Sequence, residues 1–457
     1  MSIKAIQQFP QGFLWGCATA AHQVEGRNIN DWSRWEQTPG HIFQNQRSSR
    51  ACEWWDGRYL EDFDRAAEMH NNAHRFSVEW SRIEPEPGKW DEAALQHYRD
   101  MLTALHARGI IPMITLHHFT NPLWIAEHQG WLWDETPIHF EKYVRKVVST
   151  LGDLCTLWCT INEPMVYATQ GYSLGKWPPG LKSGRGFNQV TVNLVRGHAA
   201  AYHAIKELQP TSQVGYAMHH LGVSPMRPHF IHWPAAYLVD HFFNRTFTLA
   251  MVDGIVHLPG SRDVPMPQAK GALDWVGLQF YQQYNVGFTL TRPASFFITQ
   301  HKPTDMPVGP GGWGGLNPDA TYGHIEWLAK TLKKPVYITE CGVPDPDDTV
   351  RPGYLIRSVR SVWRAANYGY TVGGFFFWSL MDNFEWTEGY DPHFSFGLYH
   401  TNFETQERTP RRSATLYGEI CAKNGLSNEI VERYAPELLA EFFPGEAGLN
   451  DVKLKMR

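Results

Sequence analysis

Eight short runs rich in β-branched and aromatic residues alternate with longer, helix-patterned stretches along the whole chain. In chain order they are Phe13–Thr19, Ala73–Trp80, Ile110–His117, Leu157–Asn162, Val214–His219, Trp275–Tyr281, Pro335–Thr339 and Val372–Trp378. Strands that alternate with helices form parallel sheets, because each helix carries the chain back to the edge where the next strand begins. Eight such units predict an α/β protein with one (β/α)8 barrel. A doubly wound sheet is the alternative, but no G-x-G-x-x-G follows the first run.

The helix-patterned stretches carry their own boundary signals. Asp91–Arg108 is amphipathic and is followed by Gly109, and Ile138–Leu151 is followed by Gly152. Glycine commonly follows the last helical residue because it adopts the left-handed conformation without strain. These stretches are therefore expected to form helices of the outer layer.

Two segments fall outside the strand–helix pattern. Thr291–Pro318 is rich in Gly and Pro and is predicted to be a long loop at the rim of the barrel. Arg412–Lys423 is expected to be the closing helix. We therefore assign residues 1–424 to the barrel and residues 425–457 to a C-terminal helical extension. The extension is expected to pack on the barrel or to contact a second subunit in a homo-oligomer.

Composition narrows the class of protein. The chain has 457 residues, 43% of them hydrophobic, so it can bury a large core. Its formal charge is −5 and it has no basic block, which argues against nucleic-acid binding. No run of 18 apolar residues predicts a membrane span, and the N-terminus lacks the apolar region of a secretory signal. Six scattered cysteines suit free thiols in a reducing compartment, so we expect a cytoplasmic protein.

Two of the predicted strands end in glutamates. The fourth run continues as Thr-Ile-Asn162-Glu163-Pro, and the seventh as Ile-Thr-Glu340-Cys-Gly. Catalytic groups of a parallel barrel lie at the C-terminal ends of its strands, so these carboxylates can face one pocket. A carboxylate pair is what glycosidic cleavage requires, because one group protonates the leaving oxygen while the other meets the developing positive charge.

Neighbouring residues favour this chemistry. Asn162 carries an amide that could hold a sugar hydroxyl next to the reacting carbon. Arg75 lies within an apolar and aromatic run, and a buried arginine requires a carboxylate partner. Glu340 is the candidate partner, because a nucleophile must stay ionised, and Glu79 is the alternative.

Other polar residues extend the candidate pocket. Either His117 or His118, at the end of the third run, should point into the barrel, and Gln23 follows the first run. The stretch that contains Trp378, Glu385 and Trp386 combines aromatic surface with a carboxylate acceptor. This is the composition of a pocket that binds sugar hydroxyls. His219 and His220 suggest a metal site, but the first run lacks the H-x-H of metal-dependent barrels, and no metal is expected.

One motif points to different chemistry. Gly171-Tyr-Ser173-Leu-Gly175 matches the G-x-S-x-G of serine esterases. That motif requires a strand before the serine and a helix directly after it. Pro178-Pro179-Gly180 follows within a few residues and no strand run precedes it, so a serine esterase is the weaker alternative.

Five motifs together resemble those of glycoside hydrolase family 1, the retaining β-glucosidases and β-galactosidases. In order they are FLWGCATAAHQVEG, HRFSVEWSRIEPEPG, TINEP, ITECG and WSLMDNFEWTEGY. The resemblance runs from about Phe9 to about Lys423. It implies a (β/α)8 barrel, a double-displacement mechanism with retention, and no cofactor.

The resemblance also implies roles for individual residues. Glu163 falls on the general acid/base and Glu340 on the nucleophile, which Arg75 and Tyr281 support. The implied substrate-binding residues are Gln23, His118, Phe119, Asn162, Trp313, Trp378, Glu385 and Trp386.

Several positions depart from the family pattern. Gln279 and Phe280 replace the usual Asn and Tyr before Tyr281, so hydrogen bonding near the nucleophile is expected to be rearranged. Phe119 replaces a tryptophan, and either Phe394 or Phe396 is the ring near the primary hydroxyl of the sugar.

The resemblance implies hydrolysis of terminal β-D-glucosyl residues, with β-galactosides or β-fucosides also accepted. Glu385 would repel a phosphate, so an unphosphorylated sugar is favoured. A non-catalytic sugar-binding barrel is the main alternative from another class of protein.

Overall fold

The computed structural model describes residues 5–227, 230–291 and 298–444. Within them, eight parallel strands form the wall of a barrel. These are β1 (Leu14–Ala18), β2 (Ala73–Ser77), β3 (Ile111–His117), β4 (Leu157–Asn162), β5 (Gln213–Pro225), β6 (Trp275–Phe288), β7 (Val336–Cys341) and β8 (Val372–Trp378). Strands adjacent in the chain are paired, and β8 pairs with β1, so the sheet closes. The predicted barrel is confirmed, and the doubly wound alternative is wrong.

Three predicted strands end more than two residues away from the observed strand ends. The second run was expected to continue to Trp80, but β2 ends at Ser77 and Trp80 begins a short helix. The fifth and sixth strands are roughly twice as long as expected. Beyond the barrel, the end of β5 from Gly222 onward pairs with β6 from Gln283 onward. The two extensions therefore stabilise each other through their backbone hydrogen bonds.

One helix of the outer layer follows each strand. These are Tyr59–Glu68, Glu92–Ala107, Thr136–Leu151, Gly184–Leu208, Thr246–Asp253, Thr321–Leu332, Arg351–Asn367 and Arg412–Lys423. Asp91 caps the second of them by accepting hydrogen bonds from the backbone N–H groups of Ala93 and Ala94. The expected stop residue Gly109 has φ +68°, the left-handed conformation that terminates a helix without strain.

Shorter elements fill the connections between strands and helices. The remaining α-helices are Ala21–Val24, Asp31–Trp35, Trp80–Ile83, Leu123–Ala126, Pro164–Ala168, His232–Val239, Asn428–Tyr434 and Leu439–Phe442. π-Helical turns lie at Thr169–Ser173 and Asp240–Arg245. Two small hairpins pair Ile255–Val256 with Val264–Pro265 and Tyr399–Thr401 with Arg408–Pro410.

The rim interval 291–318 is only partly a loop. Ile298–His301 forms a strand that pairs antiparallel with the outer end of β6, and Pro310–Gly312 forms a 3-10 turn. Residues 292–297 of the predicted loop lie outside the described residues. The additional strand forms because β6 extends beyond the barrel and offers an unpaired edge.

The two ends of the described chain meet on the outside of the barrel. Ile6–Gln8 pairs antiparallel with Gly425–Ser427. Glu441 contacts Arg357 at 3.0 Å, which ties the C-terminal segment to a barrel helix. Its last part, residues 445–457, lies outside the described residues, and the division of the chain at residue 424 stays a prediction.

In the described ranges, no helix has the length and apolar character to cross a membrane.

Candidate active site

A cavity of about 490 Å³ opens at the C-terminal ends of the barrel strands. Ten of the twelve predicted site residues line it, namely His118, Phe119, Asn162, Glu163, Tyr281, Trp313, Glu340, Trp378, Glu385 and Trp386. The other two, Gln23 and Arg75, are fully buried and contact the lining residues Glu385 and Glu340, respectively. The structure therefore brings all the predicted residues to one location.

Glu163 directly follows β4 and has a left-handed backbone, with φ 42°. Its N–H donates to the carbonyl of Ala217 on β5 at 2.8 Å. Its carboxylate Oε1 lies 3.1 Å from Nδ1 of His219, also on β5. Sequence reasoning considered His219 only as a metal ligand. Its position at the end of the fifth predicted strand was the signal that it could face the site.

Glu340 near the end of β7 is held by two donors. Arg75 Nη1 lies 2.5 Å from its Oε1, and the hydroxyl of Tyr281 donates to Oε2 at 2.6 Å. Glu79, the alternative partner of Arg75, instead accepts from Ser81 at 2.8 Å. Both carboxylate oxygens of Glu340 therefore accept a hydrogen bond, which fixes the plane of the group.

Burial and neighbouring charges shift the pKa values of both Glu340 and Tyr281. Burial raises the pKa of Glu340 to about 7, the Arg75 charge lowers it, and the charge of Glu163 raises it. Burial also raises the pKa of Tyr281 well above its ordinary value, and the charge of Glu340 adds to this. Tyr281 therefore stays a protonated donor to Glu340 over the whole physiological range.

Asn162 joins several of the buried groups. Its Oδ1 accepts from Arg75 Nη2 at 2.6 Å and from Gln279 Nε2 at 2.8 Å. Its Nδ2 lies 3.1 Å from Nε2 of His118. Gln279 replaces the usual Asn of the family. Among the described residues it forms its side-chain hydrogen bond with Asn162 and not with the nucleophile candidate Glu340.

His118, and not His117, reaches the cavity. His117 contacts Asn121 and the indole of Trp131 on the far side of β3. Burial lowers the pKa of His118 well below its ordinary value, and the charge of Arg75 lowers it further, so the ring is neutral. Its Nδ1 is buried and has no hydrogen-bond partner among the described residues. That nitrogen is suited to a substrate hydroxyl.

Gln23 and Glu385 form a second polar cluster. Gln23 Nε2 donates to Asn383 Oδ1 and to the carbonyl of Phe384, both at 2.9 Å, and lies 3.2 Å from Glu385 Oε2. Gln23 Oε1 is buried and has no partner among the described residues. Burial raises the pKa of Glu385 well above its ordinary value, and the charge of Glu340 raises it further.

Aromatic rings form the remaining walls. Trp386 lies 5.1 Å from the ring of Phe119 and 5.8 Å from that of Trp177. Trp313 lies 5.4 Å from Phe396 and 5.9 Å from Phe394, and both phenylalanines line the cavity. Flat apolar faces of this kind suit the C–H faces of sugar rings.

Ser173, the serine-esterase candidate, has the wrong surroundings for a nucleophile. It ends the π-helical turn Thr169–Ser173, which follows the helix Pro164–Ala168 rather than a strand. The serine-esterase alternative is therefore not favoured.

Among the residues that the structure describes, no group of three or more His, Cys, Asp and Glu is arranged to hold a metal ion.

A barrel cavity that presents a pair of carboxylates among aromatic side chains has the groups that glycosidic cleavage requires. The sequence pattern of glycosyl hydrolase family 1 matches residues 5–426. The chain belongs to this family and is a retaining O-glycosyl hydrolase.

Individual relatives align with this chain over nearly its whole length. The chain is 30% identical to a 1,4-β-D-glucan glucohydrolase of Thermotoga neapolitana, over 93% of this chain and 100% of that protein. It is 29% identical to a β-galactosidase of Pyrococcus woesei, over 93% of this chain and 99% of that protein. The structure of a β-glycosidase from Pyrococcus horikoshii superposes with a TM-score of 0.87 at 35% identity, covering 94% of this chain and 98% of that one.

Proposed function

We propose that this enzyme hydrolyses terminal, non-reducing β-D-glucosyl residues of oligosaccharides and of aryl or alkyl glycosides, with Glu340 as nucleophile and Glu163 as acid/base. The observation that carries the proposal is the fixed carboxylate of Glu340, held by Arg75 and Tyr281 in the cavity that Glu163 also lines. Sugar binding without catalysis would not require a carboxylate whose two oxygens are both held by hydrogen-bond donors.

In the first step, Glu340 attacks the anomeric carbon and the bond to the leaving oxygen breaks. Glu163 gives its proton to that oxygen, so the alcohol departs neutral. The product on the enzyme is an ester between the sugar and Glu340. Arg75 and Tyr281 support this step because both favour the ionised form of Glu340 and orient its carboxylate.

In the second step, Glu163 takes a proton from water and the hydroxyl attacks the same carbon. The ester bond to Glu340 breaks, and the sugar leaves with its original β configuration. Esterification removes the negative charge of Glu340. Because that charge and the charge of Glu163 oppose each other, its loss favours Glu163 as a base.

The glycone is proposed to bind between two polar clusters. Gln23 and Glu385 face one set of hydroxyls, and His118 and Asn162 another, while Trp378 and Trp386 contact the ring. Each of these side chains is charged, amide-bearing or aromatic, which suits the hydroxyls and the C–H face of one hexose.

The proposed sugar is unphosphorylated, with β-galactosides and β-fucosides also accepted. Glu163, Glu340, Glu385 and Glu388 all line the cavity, and among its described lining residues Lys176 supplies the only Lys or Arg. A phosphate would therefore meet repulsion. The names of the two relatives above, a glucan glucohydrolase and a β-galactosidase, support both sugar configurations.

The leaving group is proposed to contact the outer aromatic side chains. Trp177 and Trp313 both line the cavity and are only partly buried, so they can offer apolar surface to the leaving group. A cytoplasmic location is also proposed, because all six cysteines are buried and unpaired, as suits thiols in a reducing compartment. Self-association stays a prediction.

Azide rescue tests the two catalytic roles. Glu163→Ala should still be glycosylated by 2,4-dinitrophenyl β-glucoside, whose leaving group needs no acid, and azide should then give the β-glycosyl azide. Glu340→Ala should lose nearly all activity, and azide should attack directly to give the α-glycosyl azide. The opposite assignment of the two azide products would mean that the roles are reversed. Wild-type protein that binds but never cleaves an aryl glucoside would instead support a binding protein.

A further inference from the structure

We propose that His219 is a positioning residue for the acid/base Glu163. It holds Oε1 of the carboxyl group so that Oε2 carries the proton and is directed to the glycosidic oxygen. This inference rests on the proposed function, because it assigns to His219 an effect that operates through Glu163.

Strand β5 fixes Glu163 at two points. The backbone N–H of Glu163 donates to the carbonyl of Ala217 at 2.8 Å, and two residues later His219 Nδ1 lies 3.1 Å from Glu163 Oε1. Both side chains are only 10% exposed. Two contacts from one strand set both the position and the rotation of the carboxyl group.

The imidazole of His219 is itself held in place. It stacks on the ring of Tyr281, with centroids 5.7 Å apart and planes at 19°, and meets the edge of Phe243 at 5.9 Å and 87°. Tyr281 donates to Glu340. Contacts therefore run from Glu163 through His219 and Tyr281 to Glu340, and they fix the two carboxylates relative to each other.

The 3.1 Å contact between Nδ1 of His219 and Oε1 of Glu163 serves both protonation states of Glu163. Before the first step, Nδ1–H donates to Oε1 and the acidic proton resides on Oε2. After Oε2 has given up that proton, Oε1 still accepts from Nδ1–H, and Oε2 is available to accept a proton from water. The proton that moves in this cycle is the one on Glu163, and His219 acts as a donor of fixed direction.

The other titratable groups near His219 do not replace it as the partner of Glu163. Besides Glu163 and Tyr281, the nearby imidazoles are His220 and His324. Burial lowers the pKa of His324 to about 4, and burial followed by the charge of His324 lowers the pKa of His220 well below its ordinary value. Both rings are therefore neutral near pH 7. Arg245 is the neighbouring cation that acts on these two histidines, and it is paired with Asp240.

The dependence on the leaving group tests the proposal. We would measure kcat/KM, which reports the first step, for β-glucosides with leaving groups from phenol to 2,4-dinitrophenol. His219→Phe should lower kcat/KM for phenyl glucoside by about tenfold to hundredfold, within the contribution of general acid catalysis. The 2,4-dinitrophenyl glucoside, which needs no acid, should change by less than about threefold. His219→Asn, which can still donate a hydrogen bond, should recover part of the loss. Equal losses on all substrates would overturn the proposal.

Two further comparisons separate positioning from general damage. His220→Asn is the matched control, because His220 contacts His324 at 3.2 Å, and its dependence on the leaving group should equal that of the wild type. In a Glu163→Ala background, His219→Phe should cause no further loss on phenyl glucoside. A further loss of tenfold would contradict action through Glu163.

The outcomes also separate this inference from the proposed function. If Glu163→Ala alone left hydrolysis of phenyl glucoside unchanged, the acid/base assignment would fail, and the role of His219 with it. If Glu163→Ala abolished that hydrolysis while His219→Phe left it unchanged, only the role of His219 would fail. Should His219→Phe not fold, His219→Asn and His219→Gln in the same assay decide the question.

Discussion

At the scale of single residues, the two catalytic glutamates differ in what surrounds them. Glu340 accepts from a guanidinium and a phenol, which favour its charged form. Glu163 contacts an imidazole and is more open to the cavity, with 8% of its surface exposed against 4% for Glu340. Different environments for two chemically identical groups are how one site obtains both a nucleophile and an acid.

The support from Tyr281 predicts a pH effect. The nucleophile must be ionised, so kcat/KM should fall as the pH drops through the pKa of Glu340, which burial raises to about 7. Tyr281→Phe removes a donor that favours the ionised form, so this acidic limb should move to higher pH by about one unit. The measurement is a pH profile of kcat/KM. Tyr284→Phe, in the same cavity, is the control and should leave the limb in place. An unmoved limb in Tyr281→Phe would contradict this role.

The acceptor oxygens of Glu385 predict a specific loss of sugar binding. Glu385→Gln keeps the size of the side chain but changes its hydrogen-bonding capacity. A buried sugar hydroxyl left without its acceptor costs about 1–3 kcal/mol, so kcat/KM for an aryl glucoside should fall roughly fivefold to hundredfold. Glu388→Gln, three residues later and also lining the cavity, is the matched control and should cost less than about threefold. Equal effects of the two substitutions would argue against hydroxyl binding by Glu385.

Sequence reasoning identified most of these residues because their chemistry and their strand-end positions coincide. Glu163 and Glu340 follow the fourth and seventh runs directly. The contact of His219 with Glu163 could not be read from the sequence, because it depends on the rotation of β5 relative to β4. Gln279 was expected to rearrange the hydrogen bonds, but its partner Asn162 became clear only when the two strands were placed in register.

At the scale of elements, β7 is irregular where it presents the nucleophile. Its register against β6 shifts between Ile338 and Glu340, and its register against β8 shifts between Ile338 and Cys341. Such a bulge redirects side chains at the rim of a barrel. Close approach of β6 helps to set this geometry, since a Cβ on Gly277 would lie 2.6 Å from Thr339 Oγ1.

The close approach at Gly277 predicts a loss of stability. Gly277→Ala forces Thr339 and its neighbour Glu340 to move, so the free energy of unfolding should fall by about 1–3 kcal/mol and kcat should fall too. Urea unfolding and steady-state kinetics measure the two effects. Gly323→Ala is the matched control, because nothing lies within 4 Å of a Cβ there and the residue is in the helix Thr321–Leu332. That change should be neutral or stabilise by up to about 1 kcal/mol. Similar stability losses in both variants would refute the steric argument.

The existence of the elements was easier to predict than their length. β4 and β8 have the predicted boundaries, because each is a buried or nearly buried run that ends at a polar or aromatic site residue. β5 and β6 exceed their predictions because their outer halves are stabilised by pairing with each other, a contact that local sequence does not reveal.

At the scale of the whole molecule, closure of the barrel makes the site. Arg75 and Glu340 are 265 residues apart in the chain and Gln23 and Glu385 are 362 apart, yet both pairs are in contact. Strand order alone predicts that the strand ends meet around one opening, so the location of the site followed from the fold class. The separations and hydrogen bonds within the site follow from packing across the barrel, which no run of sequence contains.

The most direct test of the account is to trap the covalent intermediate on the intact enzyme. A 2-deoxy-2-fluoro-β-glucoside with a dinitrophenyl leaving group should inactivate the enzyme, because the fluorine slows the second step more than the first. Mass spectrometry of a digest should then find one fluoroglucosyl group, carried by the peptide that contains Glu340. A label on any other residue, or full turnover with no labelled enzyme, would contradict the assignment of Glu340 as the nucleophile.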